Sequence, residues 1–147
     1  MDENPESCIF CQIVAGRAGA HIVQEDRHSL AILDIQPLAQ GHCLVIPKRH
    51  VPWWHDLSEE ETDSLFRVAR KTAGMIMEAF SPDFVCMYAR GRRVPHTHIF
   101  LVPTTKGDPL DRYFNALEGF QEAALPLMAL RDEVAMKETE KKLREAE

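Results

Sequence analysis

His96-Thr97-His98-Ile99-Phe100-Leu101-Val102-Pro103 is the stretch whose reading decides the fold. It is apolar, partly β-branched or aromatic, and bounded by Pro95 and Pro103, the composition of a strand. Alternate strand residues share a face, so His96, His98, Phe100 and Val102 point one way and Thr97, Ile99 and Leu101 the other. Two imidazoles side by side on a rigid element suit metal binding, or a nucleophile whose neighbour fixes its tautomer. Ordinary surface or half-buried histidines show the same spacing.

A second strand, Phe84 to Tyr88, lies just upstream, and Arg90, Arg92 and Arg93 fall between the two. Further back, Val23 to Asp26, Ser29 to Leu33 and Gly41 to Ile46 read as short strands, broken by Asp26-Arg27-His28 and by Pro37 with Gly41. Cys8 to Val14 reads as a short helix or turn ending at Gly16. Ser58 and Glu61 form a capping box that opens the clearest helix. Leu65, Ala69, Ala73, Ile76 and Phe80 follow at helical spacing, and Ser81-Pro82-Asp83 stops the run. After Pro103 helical signal returns near Leu117 and strengthens after Pro126, with Leu127, Leu130 and Val134 as its apolar stripe. Glu133–Lys137, Glu138–Lys142 and Glu140–Arg144 are i,i+4 pairs with the acid first. Strands, helix, strands, helix, without regular βαβ alternation, predict an α+β fold on an antiparallel sheet. One domain is expected over 1–147, with its core at about 8–103 and a loop and helical extension over 104–147.

The composition, 45% apolar and 27% charged, is that of a soluble globular protein. A net charge of −6 opposes general nucleic-acid binding, and no specific nucleic-acid partner is expected. No apolar run approaches the ~20 residues of a membrane span. The acidic start, Met1-Asp2-Glu3-Asn4-Pro5-Glu6, lacks an export signal's basic region and apolar core, so a cytoplasmic setting is expected. There the four cysteines are thiols or metal ligands.

Cys8-Ile9-Phe10-Cys11 is a C-x-x-C pair, open to three readings: a redox site, part of a zinc site, or two buried thiols. Zinc takes about four ligands. His21, His28, His42, His50, His55, His96 and His98 are the candidates to complete a set assembled by the fold. Cys43 and Cys86 lie within apolar strands and read as core. Asp34, in Leu33-Asp34-Ile35-Gln36-Pro37, either bonds its own turn or accepts hydrogen bonds from sugar hydroxyls. Gly41 permits close backbone approach, with His42 beside it. The arginine cluster suits phosphate or a solvated loop. Trp53-Trp54-His55 reads as a surface-capping or dimer-contact segment.

Together these segments resemble the histidine triad (HIT) family of nucleotide hydrolases and transferases, over roughly residues 8 to 103. Cys8 to Ile13 is similar to the family's C-x-F-C-x-I opening, and Asp34-Ile35-Gln36-Pro37 to its D-I-x-P segment. Gly41 to His50 is similar to G-H-x-L-V-I-P-K-x-H, and Gly91 to Pro103 to G-Q-x-V-x-H-x-H-x-H-x-x-P. The resemblance implies a meander sheet with one main helix and a C-terminal helix, a homodimer, and a purine nucleotide site. It implies His98 as nucleophile at the α-phosphate, through a nucleotidyl-histidine intermediate, with His42 near the phosphate. Ile9 and Phe10 would line the base pocket and Asp34 would hold the ribose; Ile35 beside it, and Arg92 and Arg93 of the arginine cluster, are further substrate-binding candidates read from the residues themselves. In members that open with C-x-x-C, it implies a structural zinc on Cys8, Cys11, His50 and His96.

Two positions depart from the family pattern. Phe100 stands where the third triad histidine falls, and phenylalanine neither donates to an oxygen nor orients a neighbour. The loop before the triad is the short Tyr88-Ala89-Arg90-Gly91-Arg92-Arg93 in place of an Asn- or Ser-rich segment. Two expectations follow: a phosphoramidate or dinucleoside polyphosphate hydrolase or nucleotidyltransferase, or a nucleotide-binding or zinc-stabilised protein without turnover.

Overall fold

The structure is a computed structural model that describes residues 4–146; the acidic start Met1-Asp2-Glu3 lies outside them. The chain divides into two units, one through Asp108 and one from Pro109. The first begins with a short helix, α1 (Ile9–Val14), which ends before Gly16, a residue at φ +71°. Strands β1 (Ile22–Glu25), β2 (Ser29–Leu33) and β3 (Cys43–Pro47) form an antiparallel meander.

Helix α2 (Glu59–Phe80) follows, opened by the expected capping box of Ser58 and Glu61. Glu61 also takes a forked ion pair from Arg49, at 2.5 and 2.8 Å. The helix ends as Ser81 turns left-handed at φ 49°, just before Pro82. Strands β4 (Phe84–Tyr88) and β5 (Ile99–Thr104) complete a five-stranded antiparallel sheet in the order β1-β2-β3-β5-β4. The meander is broken once: α2 carries the chain across the sheet, β4 takes the far edge, and β5 returns between β4 and β3.

The strand expected to start at His96 becomes regular only at Ile99 and runs through Pro103 to Thr104. Thr97 explains the late start: its N–H and its hydroxyl both bond the Val51 carbonyl, each at 2.7 Å, in place of a strand neighbour. Proline is tolerated at 103 because pairing with β3 ends at Leu101, so no ladder bond is lost on that side.

The alternation of faces holds. Ala31, Val45, Ile99 and Leu101 pack with Leu65, Val68, Ala69 and Ile76 of α2. Leu30, Ile32, Leu44, Ile46 and Phe100 turn to the opposite face, with Cys8 and Phe10. The expected helical stripe is displaced at its end: Ile76 is buried, but Phe80 is 43% exposed.

Among the described residues the second unit is built of helices without strands. A helix expected near Leu117 begins earlier, as α3 (Pro109–Ala123), with proline at the first helical position, where its missing N–H forfeits no bond. The single C-terminal helix expected becomes α3, a short α4 (Leu125–Met128) and α5 (Glu133–Glu145). Pro126 interrupts the run, and Asp132 caps α5 by accepting from the Val134 and Ala135 amides. Glu133–Lys137 and Glu140–Arg144 pair along α5. Among the described residues no helix is long and apolar enough to cross a membrane.

Candidate active site and metal centre

The sheet face opposite α2 gathers buried imidazoles and thiols. His96 is wholly buried, and its Nε2–H donates to the Pro47 carbonyl at 2.8 Å. That bond sets the tautomer and leaves the Nδ1 lone pair facing Cys8 Sγ and Cys11 Sγ, both at 3.5 Å. His50 Nδ1 lies 3.2 Å from Cys11 Sγ. The four ligand atoms of Cys8, Cys11, His50 and His96 all lie within 4.8 Å of one another.

These spacings fit a tetrahedral ion. Zinc–sulfur and zinc–nitrogen bonds of about 2.3 and 2.1 Å at a tetrahedral angle put sulfur and nitrogen roughly 3.5 Å apart. A Pro47 carbonyl on the far nitrogen of a ligating imidazole is the usual outer support of such a site. Without a metal, burial and then the neighbouring Cys8 push the Cys11 thiol up to about 11, and burial holds His96 down near 4. A cation would have to displace the thiol protons.

His98, 6% exposed, donates from Nδ1–H to the His96 carbonyl at 2.7 Å. The lone pair therefore resides on Nε2. Burial lowers the pKa of His98, outweighing the bond to His96 and the charge of Asp34, so the ring is neutral at pH 7. His42 is also buried, and its Nδ1 accepts from the Leu38 amide at 3.1 Å, which places the proton on Nε2. That Nε2 lies 3.4 Å from Asp34 Oδ2, at ion-pair distance but without hydrogen-bond alignment, and is buried with no hydrogen-bond partner. Burial lowers the pKa of His42 more than Asp34 raises it. Asp34 also bonds its own turn, through Oδ1 to the Gln36 amide at 2.8 Å, so both sequence readings of this carboxylate coexist.

A cleft of about 470 Å³ opens over these groups, within the usual range for small-ligand sites. Ile9 and Phe10 line it from α1, Asp34 and Ile35 from the end of β2, and His42 from the start of β3. His98, Phe100 and Arg93 line it as well. Arg92 is exposed and lies outside this lining. Phe10 meets both His96 and His98 edge-on, at centroid distances of 5.7 and 5.2 Å. Tyr88, absent from the sequence reading of the site, lines the cleft and stacks on Phe100 at 4.7 Å. Its signal was the alternation of β4, whose last residue pairs with Phe100 in the sheet.

An α+β protein with a mostly apolar cleft beside a Cys2His2 cluster is thus defined by geometry. The HIT domain matches residues 15–107 of the chain, which belongs to the HIT family. It is 37% identical over 109 residues to the Protein hit of Bacillus subtilis, covering 70% of this chain and 75% of that one. It is 36% identical over 102 residues to an adenosine 5'-monophosphoramidase of Schizosaccharomyces pombe, covering 66% and 74%. A zinc-bound histidine triad family protein from Mycobacterium smegmatis superposes with a TM-score of 0.66 at 34% identity, covering 73% of this chain and 81% of that one.

Proposed function

We propose that the protein is a nucleotide hydrolase or nucleotidyltransferase that attacks the α-phosphate of a purine nucleotide conjugate through His98. The observation that carries this reading is the His98 Nδ1–H bond to the His96 carbonyl. It leaves Nε2 as a neutral nucleophile at the cleft. In the first step the Nε2 lone pair forms a bond to phosphorus, and the bond to the leaving group breaks with its electron pair. The ring then carries positive charge, which the His96 carbonyl stabilises through Nδ1–H. Water next attacks phosphorus, the P–N pair returns to Nε2, the water proton passes to solvent, and nucleoside monophosphate departs.

Ile9, Phe10 and Ile35 offer apolar contact to the base, Asp34 accepts from the ribose, and the unpaired His42 Nε2–H and Arg93 donate to phosphate oxygens. A buried donor without a partner is stabilised when an acceptor arrives. Zinc on Cys8, Cys11, His50 and His96 would supply a closed structural centre that ties α1 to the segment before β5. The zinc-bound relative and the interatomic spacings support it. Pairing of two copies is part of the proposal: β4 is an edge strand with Phe84 and Met87 exposed. A cytoplasmic setting suits the four free thiols.

Purified protein should release nucleoside monophosphate from an adenylate conjugate, and His98→Ala should lower the rate by about a thousandfold or more. Equal rates for the two proteins would end the proposal. Phe100 favours a second reading, nucleotide binding without turnover, since no proton can come from its ring. Under that reading calorimetry shows AMP binding, no conjugate is cleaved, and Phe100→His restores turnover.

A further inference from the structure

His98 borders a second cavity. It lies toward Pro52-Trp53-Trp54-His55 and Arg90-Gly91, has a volume of about 90 Å³, and is lined by His98 and Thr97 on its inner side. The aromatic run is held there. The two bonds from Thr97 to the Val51 carbonyl fix the chain just before Pro52 to the residue just before His98. A 3-10 turn over Trp54–Asp56 then leads into the cap of α2. Trp53 and His55 present parallel rings, 4° apart in plane with centroids 6.4 Å apart. Both indoles remain well exposed, Trp53 at 39% and Trp54 at 54%. Gly91 lies against Trp53, bringing the Arg90 loop to the same cavity.

We propose that Trp53, His55 and Arg90 form a leaving-group subsite that selects an aromatic, anionic leaving group. The inference rests on His98 being the nucleophile and deepens that reading. A phosphorus held at His98, with its nucleoside in the larger cleft, has this cavity beside it for the other half of the conjugate. Exposed indoles stack on flat rings of any sequence, and the Arg90 guanidinium pairs with phosphate oxygens. Phe100 points the same way. Its ring lies 5.0 Å from that of His98 and donates no proton. A phosphate chain departs as a stable anion, with the electron pair of the broken P–O bond on its terminal oxygen. An amine needs a proton to leave.

The test compares ATP esterified on its γ-phosphate with naphthyl or with methyl, two conjugates of equal charge. The naphthyl ester should have the higher kcat/KM by about tenfold, within the range that stacking contributes. Trp53→Ala should bring that ratio close to one, Trp53→Phe should keep most of it, and Arg90→Ala should lower kcat/KM for both esters. A wild-type ratio near one, or a ratio unmoved by Trp53→Ala, overturns the subsite. If neither ester is cleaved, the hydrolase reading fails and the subsite is read by binding. With saturating AMP in the larger cleft, naphthyl diphosphate should quench tryptophan fluorescence saturably in the wild type but not in Trp53→Ala. Absence of quenching in the wild type overturns it as well.

Discussion

The two faces of one sheet are made from the same strands and do different work. Toward α2, β2, β3 and β5 present Ala31, Val45, Ile99 and Leu101, an aliphatic layer with almost no exposure. Toward α1, the same chain segments present Leu44 and Phe100 and then the imidazoles of His42, His96 and His98. Apolar burial on the first face stabilises the sheet in proportion to area. The second face buries polar groups, which costs free energy unless each is bonded. His96 and His98 are bonded to the Pro47 and His96 carbonyls, whereas His42 and His50 each keep one unpaired buried nitrogen. A buried polar nitrogen of this kind is stabilised when a partner reaches it.

The sharpest way to break the comparison is Cys8→Ser. A closed structural zinc contributes on the order of 10 kcal/mol to the folding of small metal-dependent domains. The variant should lose about one zinc per chain by elemental analysis and show a thermal midpoint lower by more than 10 °C. Zinc affinity should also fall as pH falls, because the ion must displace the proton of a Cys11 thiol whose pKa is raised to about 11. A metal-free wild type of unchanged stability would leave the two faces alike in having no metal.

His98→Ala should cost about a thousandfold in turnover, some 4 kcal/mol, and leave the urea midpoint within the range of a typical single substitution. Leu65→Ala, on the α2 face, should do the reverse. Truncating this fully buried leucine should destabilise by about 2–5 kcal/mol in urea unfolding, with zinc content intact. If Leu65→Ala strips the zinc while still folded, the two faces are not independent.

The smallest effect is at Glu61, whose carboxylate caps α2 and pairs with Arg49. The Arg49 hydrogen bonds hold its pKa down to about 2, against the opposing effect of burial. A depressed folded-state pKa contributes stability above the ordinary value of 4.5 that is lost as pH falls toward 2. Glu61→Gln should cost about 1 kcal/mol at pH 7, because Arg49 stands largely in solvent and the pair is screened. Its unfolding free energy should be flatter than that of the wild type between pH 4.5 and 2.

Local chemistry made much of this legible. Ser58, Glu61 and the spacing from Leu65 to Ile76 specify α2 within a few turns, and β2 and β4 occur as their composition predicts. Pro109 is ambiguous by local chemistry alone, since proline reads equally as a breaker and as a helix's first residue, the position it takes in α3. Trp53-Trp54-His55 gave no sign of lying beside His98, because the Thr97–Val51 bonds that hold it there join residues 46 apart.

By itself the sequence determined the alternation of faces, the capped helix and the residue types able to hold a metal or attack phosphorus, since these depend on neighbours a few positions apart. Only the tertiary structure decided which donors meet. Cys11 reaches His50 across 39 positions and His96 across 85, and β5 enters the sheet between β3 and β4. Two carbonyls, those of Pro47 and His96, then accept the ring protons, which leaves a lone pair on Nδ1 of His96 and on Nε2 of His98. Backbone oxygens are the same in every residue, so their positions, and with them the choice of which ring nitrogens of His96 and His98 keep a lone pair, exist only once the chain has closed.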